Sequence, residues 1–368
     1  MPVPAAAITF PGLAMHQHHE IHGNDSNRTR SPRPRRGRPS NVAVVLGVLL
    51  LVALFIDAYA QESPAGKQKP IPVIFDSDIG NDIDDTWALG FLLKCPELEL
   101  KLAVGDRGRA PYRAKLLAKF LERVGRADVP VGIGLDVKPK GEGRQAEWVK
   151  DYDLKAYPGK VFEDGVQAII DTIMKSDRPV TLICVGPVPN IAEALKREPR
   201  IAQRARFVGM HGSLRKGYDN ADQPVAETNV KGDAKALQAV FAAPWEVVIT
   251  PLDTCGLVTL TGDKYRRVLE SKDPIPTNII TNYRIWAGAL TPPAPEMART
   301  RSSVLFDAVA VYLAFRNDYC VMEKLGVRVT DTGFTVEDSK ARTIEVATRW
   351  KDLDGFENFL VQRLTGER

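Results

Sequence analysis

Ile71-Pro72-Val73-Ile74-Phe75 runs directly into Asp76-Ser77-Asp78-Ile79-Gly80-Asn81-Asp82-Ile83-Asp84-Asp85, and that into Thr86-Trp87-Ala88-Leu89-Gly90-Phe91-Leu92-Leu93-Lys94. The first five residues are apolar and β-branched-rich, and the run is too short for a helix, so it predicts a buried strand. The last nine predict a helix over 86–94, stopped by Pro96. Between them lie five carboxylates in ten residues: Asp76, Asp78, Asp82, Asp84 and Asp85. Like charges crowded at a strand end repel one another unless a cation neutralises them. The plainer reading is a solvated acidic turn, with Asp84 or Asp85 capping the next helix. Capping accounts for one or two of the five and leaves the rest unexplained. All-oxygen donors with no neighbouring His or Cys point to a hard cation, Ca²⁺ ahead of Mg²⁺.

Outward from this stretch, short apolar runs alternate with helical patterns. Strands are predicted at 98–104, 129–133, 180–185, 206–210 and 246–249. Helices are predicted at 113–124, 161–175, 190–197, 234–242, 264–269, 276–286 and 304–315. The tail 327–346 reads as two or three short strands, and 354–364 as a closing helix. This alternation predicts a single α/β domain over 71–368, with a mainly parallel, Rossmann-like open sheet flanked by helices. In such sheets ligands bind outside the carboxyl ends of the strands, where the acidic loop falls.

The front of the chain reads differently. Six arginines between residues 28 and 38 precede an uncharged apolar run, 42–56, and Ala58-Tyr59-Ala60 follows it. Basic flank, apolar segment and small-residue exit predict a secretory leader over 1–60, with 61–70 as a polar linker. The protein is then expected to be exported, periplasmic or extracellular. A leader left uncleaved would anchor it to the membrane through 42–56, the one route to a membrane that the sequence offers. Removing the leader's six basic and three acidic residues from the totals of 50 and 46 leaves 44 against 43. A chain this near neutrality, without a basic stripe, is not expected to bind nucleic acid. Of five histidines only His211 lies beyond the leader, which excludes a multi-histidine zinc site within one subunit. The cysteines, Cys95, Cys184, Cys255 and Cys320, show no C-x-x-C spacing, and either disulfides or buried free thiols are compatible with it.

Here the sequence resembles the calcium-dependent nucleoside hydrolases of the inosine-uridine-preferring type. Their opening strand ends in D-x-D-x-G followed by D-D, as in Asp76-Ser77-Asp78-Ile79-Gly80 and Asp84-Asp85. Gly186-Pro187-Val188-Pro189-Asn190-Ile191-Ala192 resembles their G-P-x-x-N-I-A segment, and Met210 with Glu227-Thr228-Asn229-Val230 their M…E-x-N-V segment. Ser303-Val304-Leu305-Phe306-Asp307-Ala308 resembles the late segment whose aspartate returns to the metal. The resemblance implies the nucleoside hydrolase fold and hydrolysis of the N-glycosidic bond of a ribonucleoside or related small ribosyl substrate. It implies Ca²⁺ held by Asp78, Asp85, Asp307 and the carbonyl of Val185, with Asp78 also the base toward the attacking water. Asp84, Glu227 and Asn229 would bind the sugar, and Met210 would line its pocket. Taken without the resemblance, Glu227 and Asn229 read as an ordinary turn and Met210 as core. Self-association into a homo-oligomer stays open.

Two positions depart from the pattern. Many members carry a histidine before the late aspartate, suited to protonating the departing base; Phe306 stands there. Arg109 falls near a position expected to be a neutral or acidic sugar contact. Arg109, His211 and Trp286 are therefore candidate aglycone contacts. Two other readings compete: a non-catalytic, calcium-dependent ribosyl-binding protein, and a phosphatase of the haloacid-dehalogenase type, which also places D-x-D after a strand.

Overall fold

A computed structural model describes residues 69–367. The predicted leader 1–60 and all of the linker but its last two residues lie outside the described residues. The architecture is one ten-stranded sheet in the order β4-β3-β2-β1-β5-β6-β7-β10-β8-β9. Its strands are β1 (Ile71–Ser77), β2 (Leu98–Gly105), β3 (Val131–Gly132), β4 (Val161–Phe162), β5 (Val180–Cys184), β6 (Ala205–Met210), β7 (Val247–Thr250), β8 (Cys320–Val329), β9 (Thr335–Glu337) and β10 (Thr343–Trp350). Every pairing from β4 through to β10 is parallel, and only β8 and β9 are antiparallel additions at the edge. The sheet is thus the mainly parallel, helix-flanked one expected.

The strand order fixes where a ligand can sit. The chain builds outward from β1 to β4, then returns to lay β5 against the other side of β1. Connections leave β1 and β5 in opposite directions, which opens a crevice at their carboxyl ends. Asp76 pairs with Cys184 in this register, so the acidic loop and Val185 emerge side by side. Alternating side chains of β1 feed two cores: Val73 and Phe75 join one, Ile74 the other.

The helix Asp84–Leu93 is buried along nearly its whole length, which explains its apolar sequence. It is held against the helices Pro274–Gly288 and Phe306–Leu313, the second of which brings Asp307 to the acidic loop. Two predicted helices start later than their patterns suggested. Val161–Phe162 pairs with β3, and the helix begins at Gly165, where Asp164 accepts from the Gln167 N–H at 2.9 Å. Likewise the helix expected from 304 begins at Phe306. All four cysteines are buried and unpaired, which resolves the alternatives in favour of free thiols.

Candidate active site

The acidic loop is shaped by what lies beneath it. Gly80 has φ +100°, a conformation that favours glycine, and a Cβ there would collide with Leu116 and Tyr112. The Gly80 carbonyl accepts from the Tyr112 hydroxyl at 3.1 Å and from the Arg144 N–H at 3.1 Å. Arg113, on the helix Ala110–Arg123, is 1% exposed. Its Nη1 donates to the carbonyls of Asp78 and Ile79, its Nε to Gly108 at 2.9 Å and its Nη2 to Arg107 at 3.3 Å. One buried guanidinium therefore ties the loop after β1 to the loop after β2. It also stands 4.0 Å from Asp78 Oδ2.

Two carboxyls serve the floor rather than the cavity. Asp76 is fully buried, with Oδ2 accepting from Asn190 Nδ2 at 2.9 Å. Asp106 Oδ2 accepts from the Val188 N–H at 2.8 Å, and burial pushes this carboxyl up to about 7. The phosphatase reading makes the first aspartate the nucleophile on phosphate; Asp76, sealed under the loop, does not line the cavity.

A cavity of about 130 Å³ opens over this floor. Its inner wall is Asp78, Asp84, Asp85, Val185, Met210, Glu227, Asn229 and Asp307. These are the eight positions that the resemblance assigns to metal and sugar, drawn from five separate stretches of chain. Its mouth is Asn81, Asp82, Arg144, Tyr218, Thr228 and Phe306. Arg109, His211 and Trp286 do not line it. Arg109 turns its guanidinium to the Glu142 carbonyl. His211 is fully buried, with Nε2 at 2.8 Å from the Gly186 carbonyl, and burial pushes it down to about 4. Trp286 is packed under the rim, its Nε1 donating to the Asn81 carbonyl at 3.2 Å.

The electrostatics of the inner wall are one-sided. One oxygen each from Asp84, Asp85 and Asp307 lie within 4.8 Å of one another. Burial, then repulsion from Asp84, Asp85, Asp78 and Asp82, holds the Asp307 carboxyl well above the usual carboxylate range. Asp84 and Asp85 are raised in the same way, burial first and neighbouring carboxylates after it. Ser77 Oγ donates to Asp85 Oδ1 at 2.6 Å, a partial offset. Arg113 is the one cation paired with an inner-wall carboxylate among the described residues. Carboxylates this crowded, with hard oxygen donors and so little protein countercharge, fit a bound metal cation. The three-oxygen cluster includes Asp84, which the resemblance gave to the sugar, while Asp78 lies outside it.

Glu227 and Asn229 are held firmly. Glu227 caps the short helix Thr228–Gly232: Oε1 accepts from the Asn229 N–H at 2.7 Å, and Oε2 from Gly212 at 3.1 Å and Val230 at 3.2 Å. Desolvation still pushes it up to about 7. Asn229 Nδ2 donates to the carbonyls of Val185 at 3.3 Å and Met210 at 3.1 Å. The turn expected from composition and the sugar-facing role implied by resemblance are thus compatible. Sequence reasoning missed Arg113, Arg144, Tyr218 and Thr228. The one available signal for Tyr218 and Thr228 was their place on either side of Glu227; the arginines gave none.

Comparison with known proteins matches this geometry to a family. The sequence model of the inosine-uridine preferring nucleoside hydrolases covers residues 73–358. The non-specific ribonucleoside hydrolase of Klebsiella pneumoniae is 31% identical over 202 residues, 52% of this chain and 65% of that one. The pyrimidine-specific ribonucleoside hydrolase of an Enterobacter species is 29% identical over 219 residues, 57% of this chain and 68% of that one. The chain thus spans about two thirds of these relatives' length. The solved purine-preferring ribonucleoside hydrolase of Gardnerella vaginalis shares the fold with a TM-score of 0.65 at 25% identity, over 80% of this chain and 98% of that one. With the matched region running from β1 to the final helix, the chain belongs to the inosine-uridine preferring nucleoside hydrolase family.

Proposed function

We propose that this protein hydrolyses the N-glycosidic bond of a ribonucleoside or related ribosyl compound, using a divalent cation that the donor set favours as Ca²⁺. The observation that carries this reading is the convergence of Asp78, Asp84, Asp85, Glu227, Asn229 and Asp307 on one cavity in a chain of this family. Asp78, Asp85, Asp307 and the Val185 carbonyl would hold the cation. When bound, it supplies positive charge that orients the sugar hydroxyls and makes an adjacent water more acidic.

The chain's own residues do the rest. The Asp78 carboxylate takes the proton of the attacking water, and Arg113 fixes the backbone that carries it. Asp84 accepts from a sugar hydroxyl. Asn229, its Nδ2 already pinned to two carbonyls, offers Oδ1 to another. Glu227, its side chain locked by three N–H donors, keeps lone pairs for a third. As the bond breaks, positive charge grows on the sugar ring, and the fixed carboxylates stabilise it without having to reorganise. Met210 packs against the sugar.

The test is ribose release from a ribonucleoside panel, with and without chelator. Turnover lost with chelator, restored by Ca²⁺ and absent in Asp78→Ala supports the reading. Binding of ribosides with no ribose released from any would overturn it in favour of a non-catalytic binding protein. We further infer, from the leader pattern alone, that the protein is exported.

A further inference from the structure

We propose that the mouth of this cavity selects ribosides whose aglycone can leave as an anion, with Arg144 receiving the departing charge. The proposal rests on the ribosyl hydrolase reading above and adds the leaving-group class to it.

Arg144 is presented at the mouth by a rigid mount. Its own N–H donates to the Gly80 carbonyl at 3.1 Å. The next residue, Gln145, is fully buried; its N–H donates to the Tyr112 hydroxyl at 3.0 Å and its Nε2 to Thr86 Oγ1 at 3.0 Å and Asn282 Oδ1 at 2.9 Å. The Tyr112 hydroxyl in turn donates to Gly80, so the Arg144 segment and the acidic loop are one piece. The guanidinium lies 5.9 Å from the Trp286 ring and reaches the Asn81 carbonyl at 3.4 Å. Exposed at the mouth, it makes no ion pair among the described residues, and Asp82 is the neighbouring carboxyl on which its charge acts.

The rest of the mouth holds Asn81, Asp82, Tyr218 and Thr228 but no imidazole. Phe306 lies edge-on to Tyr218, ring centroids 6.0 Å apart, giving an aromatic wall. The Tyr218 hydroxyl accepts from the Thr228 N–H at 3.0 Å and shares a hydrogen bond with Thr228 Oγ1 at 2.8 Å; burial pushes it up to about 12. Asp82 Oδ1 accepts from the Ile83 N–H at 2.7 Å, and burial raises this carboxyl. His211, the one imidazole among the described residues, is sealed beneath the site. A planar aglycone can pack on the aromatic wall, but no imidazole can protonate it there. The step balances without one. The bond from C1′ to the aglycone breaks with its electron pair going to the aglycone, and the water oxygen bonds C1′. The water's proton passes to Asp78 and on to solvent. The aglycone departs as an anion beside Arg144 and takes a proton from solvent.

The test compares three ribosides with one enzyme: 4-nitrophenyl β-D-ribofuranoside, whose aglycone leaves as a stable anion, inosine and uridine. Without an imidazole at the mouth, kcat/KM for the nitrophenyl riboside should exceed that for either nucleoside by about 100-fold. Arg144→Gln should lower kcat/KM for the nitrophenyl riboside by about 10-fold, mainly through kcat, because the anion forms only in the transition state. Arg144→Lys should restore part of it. Nucleosides turned over within about 3-fold of the nitrophenyl riboside, or a kcat for the nitrophenyl riboside untouched by Arg144→Gln, would overturn the proposal while leaving the hydrolase reading intact. Ribose released from none of the three overturns both.

Discussion

Replacing Arg113 with methionine keeps most of the buried volume and removes every hydrogen bond the guanidinium makes. Four carbonyls, those of Asp78, Ile79, Arg107 and Gly108, lose a donor in a region closed to water. Asp78 also loses the cation 4.0 Å from its Oδ2. An unsatisfied buried group costs about 1–3 kcal/mol, but each carbonyl has a second lone pair and the loops can relax. Removing one partner of a buried charged pair, about 3–5 kcal/mol, is the better guide to the total. Set against a net stability of about 5–15 kcal/mol, the variant folds with a reduced margin. For a chain of this size the melting midpoint falls by roughly 6–10 °C. Activity should fall further than stability, because the same bonds place Asp78, and a loop displaced by ~1 Å costs about 100-fold in rate. Circular dichroism melting gives the first quantity; ribose release well below both midpoints gives the second. A methionine variant that melts within 2 °C of the parent (under about 1 kcal/mol) and turns over normally would refute this account of the loop.

Three further outcomes follow from the same structure. Gly80→Ala combines a strained φ of +100° with a collision against Leu116 and Tyr112; we expect a loss of about 1–3 kcal/mol by denaturant titration and weaker cation binding, and a neutral result would contradict the loop geometry. In the metal-stripped protein, burial raises Glu227 from 4.5 to about 7, so the folded state retains a proton that the unfolded state releases between those values. Stability is present below pH 4.5 and lost as pH rises through about 7, on the order of 3 kcal/mol; melting across pH 5–7.5 checks the sign, and a rising midpoint would reject it. N-terminal sequencing of exported protein should begin at Gln61; a retained residue 1–60 segment would favour the membrane anchor.

How much of this was legible beforehand depends on how local each signal is. The acidic loop could be read because strand, carboxylates and helix are consecutive, and five like charges beside an apolar run need a reason. The central strands were readable because each contains a short run rich in apolar residues. The two-residue strand β4 was not, since Val161–Phe162 merges into the following helix pattern until the Asp164 cap is seen. Asp307 and Val185 reached the site through resemblance alone, because only helix packing brings the first beside the loop and only the sheet order the second. Arg113 was invisible for a different reason. An arginine near the start of an amphipathic helix reads as a solvated charge, and nothing nearby says that this face packs under another loop. Arg144, in Gly141-Glu142-Gly143-Arg144, likewise reads as surface. Its significance comes from bonds to Gly80 and, through Gln145, to Asn282, both more than sixty residues away in sequence. The aglycone candidates failed to reach the cavity because strand exits and helix ends, where His211 and Trp286 lie, serve packing as readily as function.

The central claim is that buried carboxylates from the β1 loop and Asp307 form one cation site that serves a sugar cavity. Calorimetric titration of Ca²⁺ into metal-stripped protein, beside the Asp307→Asn variant, tests it most directly. The account predicts saturable binding at one ion per chain in the parent and at least about 10-fold weaker binding in the variant, a cost of roughly 1.4 kcal/mol. No calcium binding by the parent, or equal binding by the variant, would contradict it.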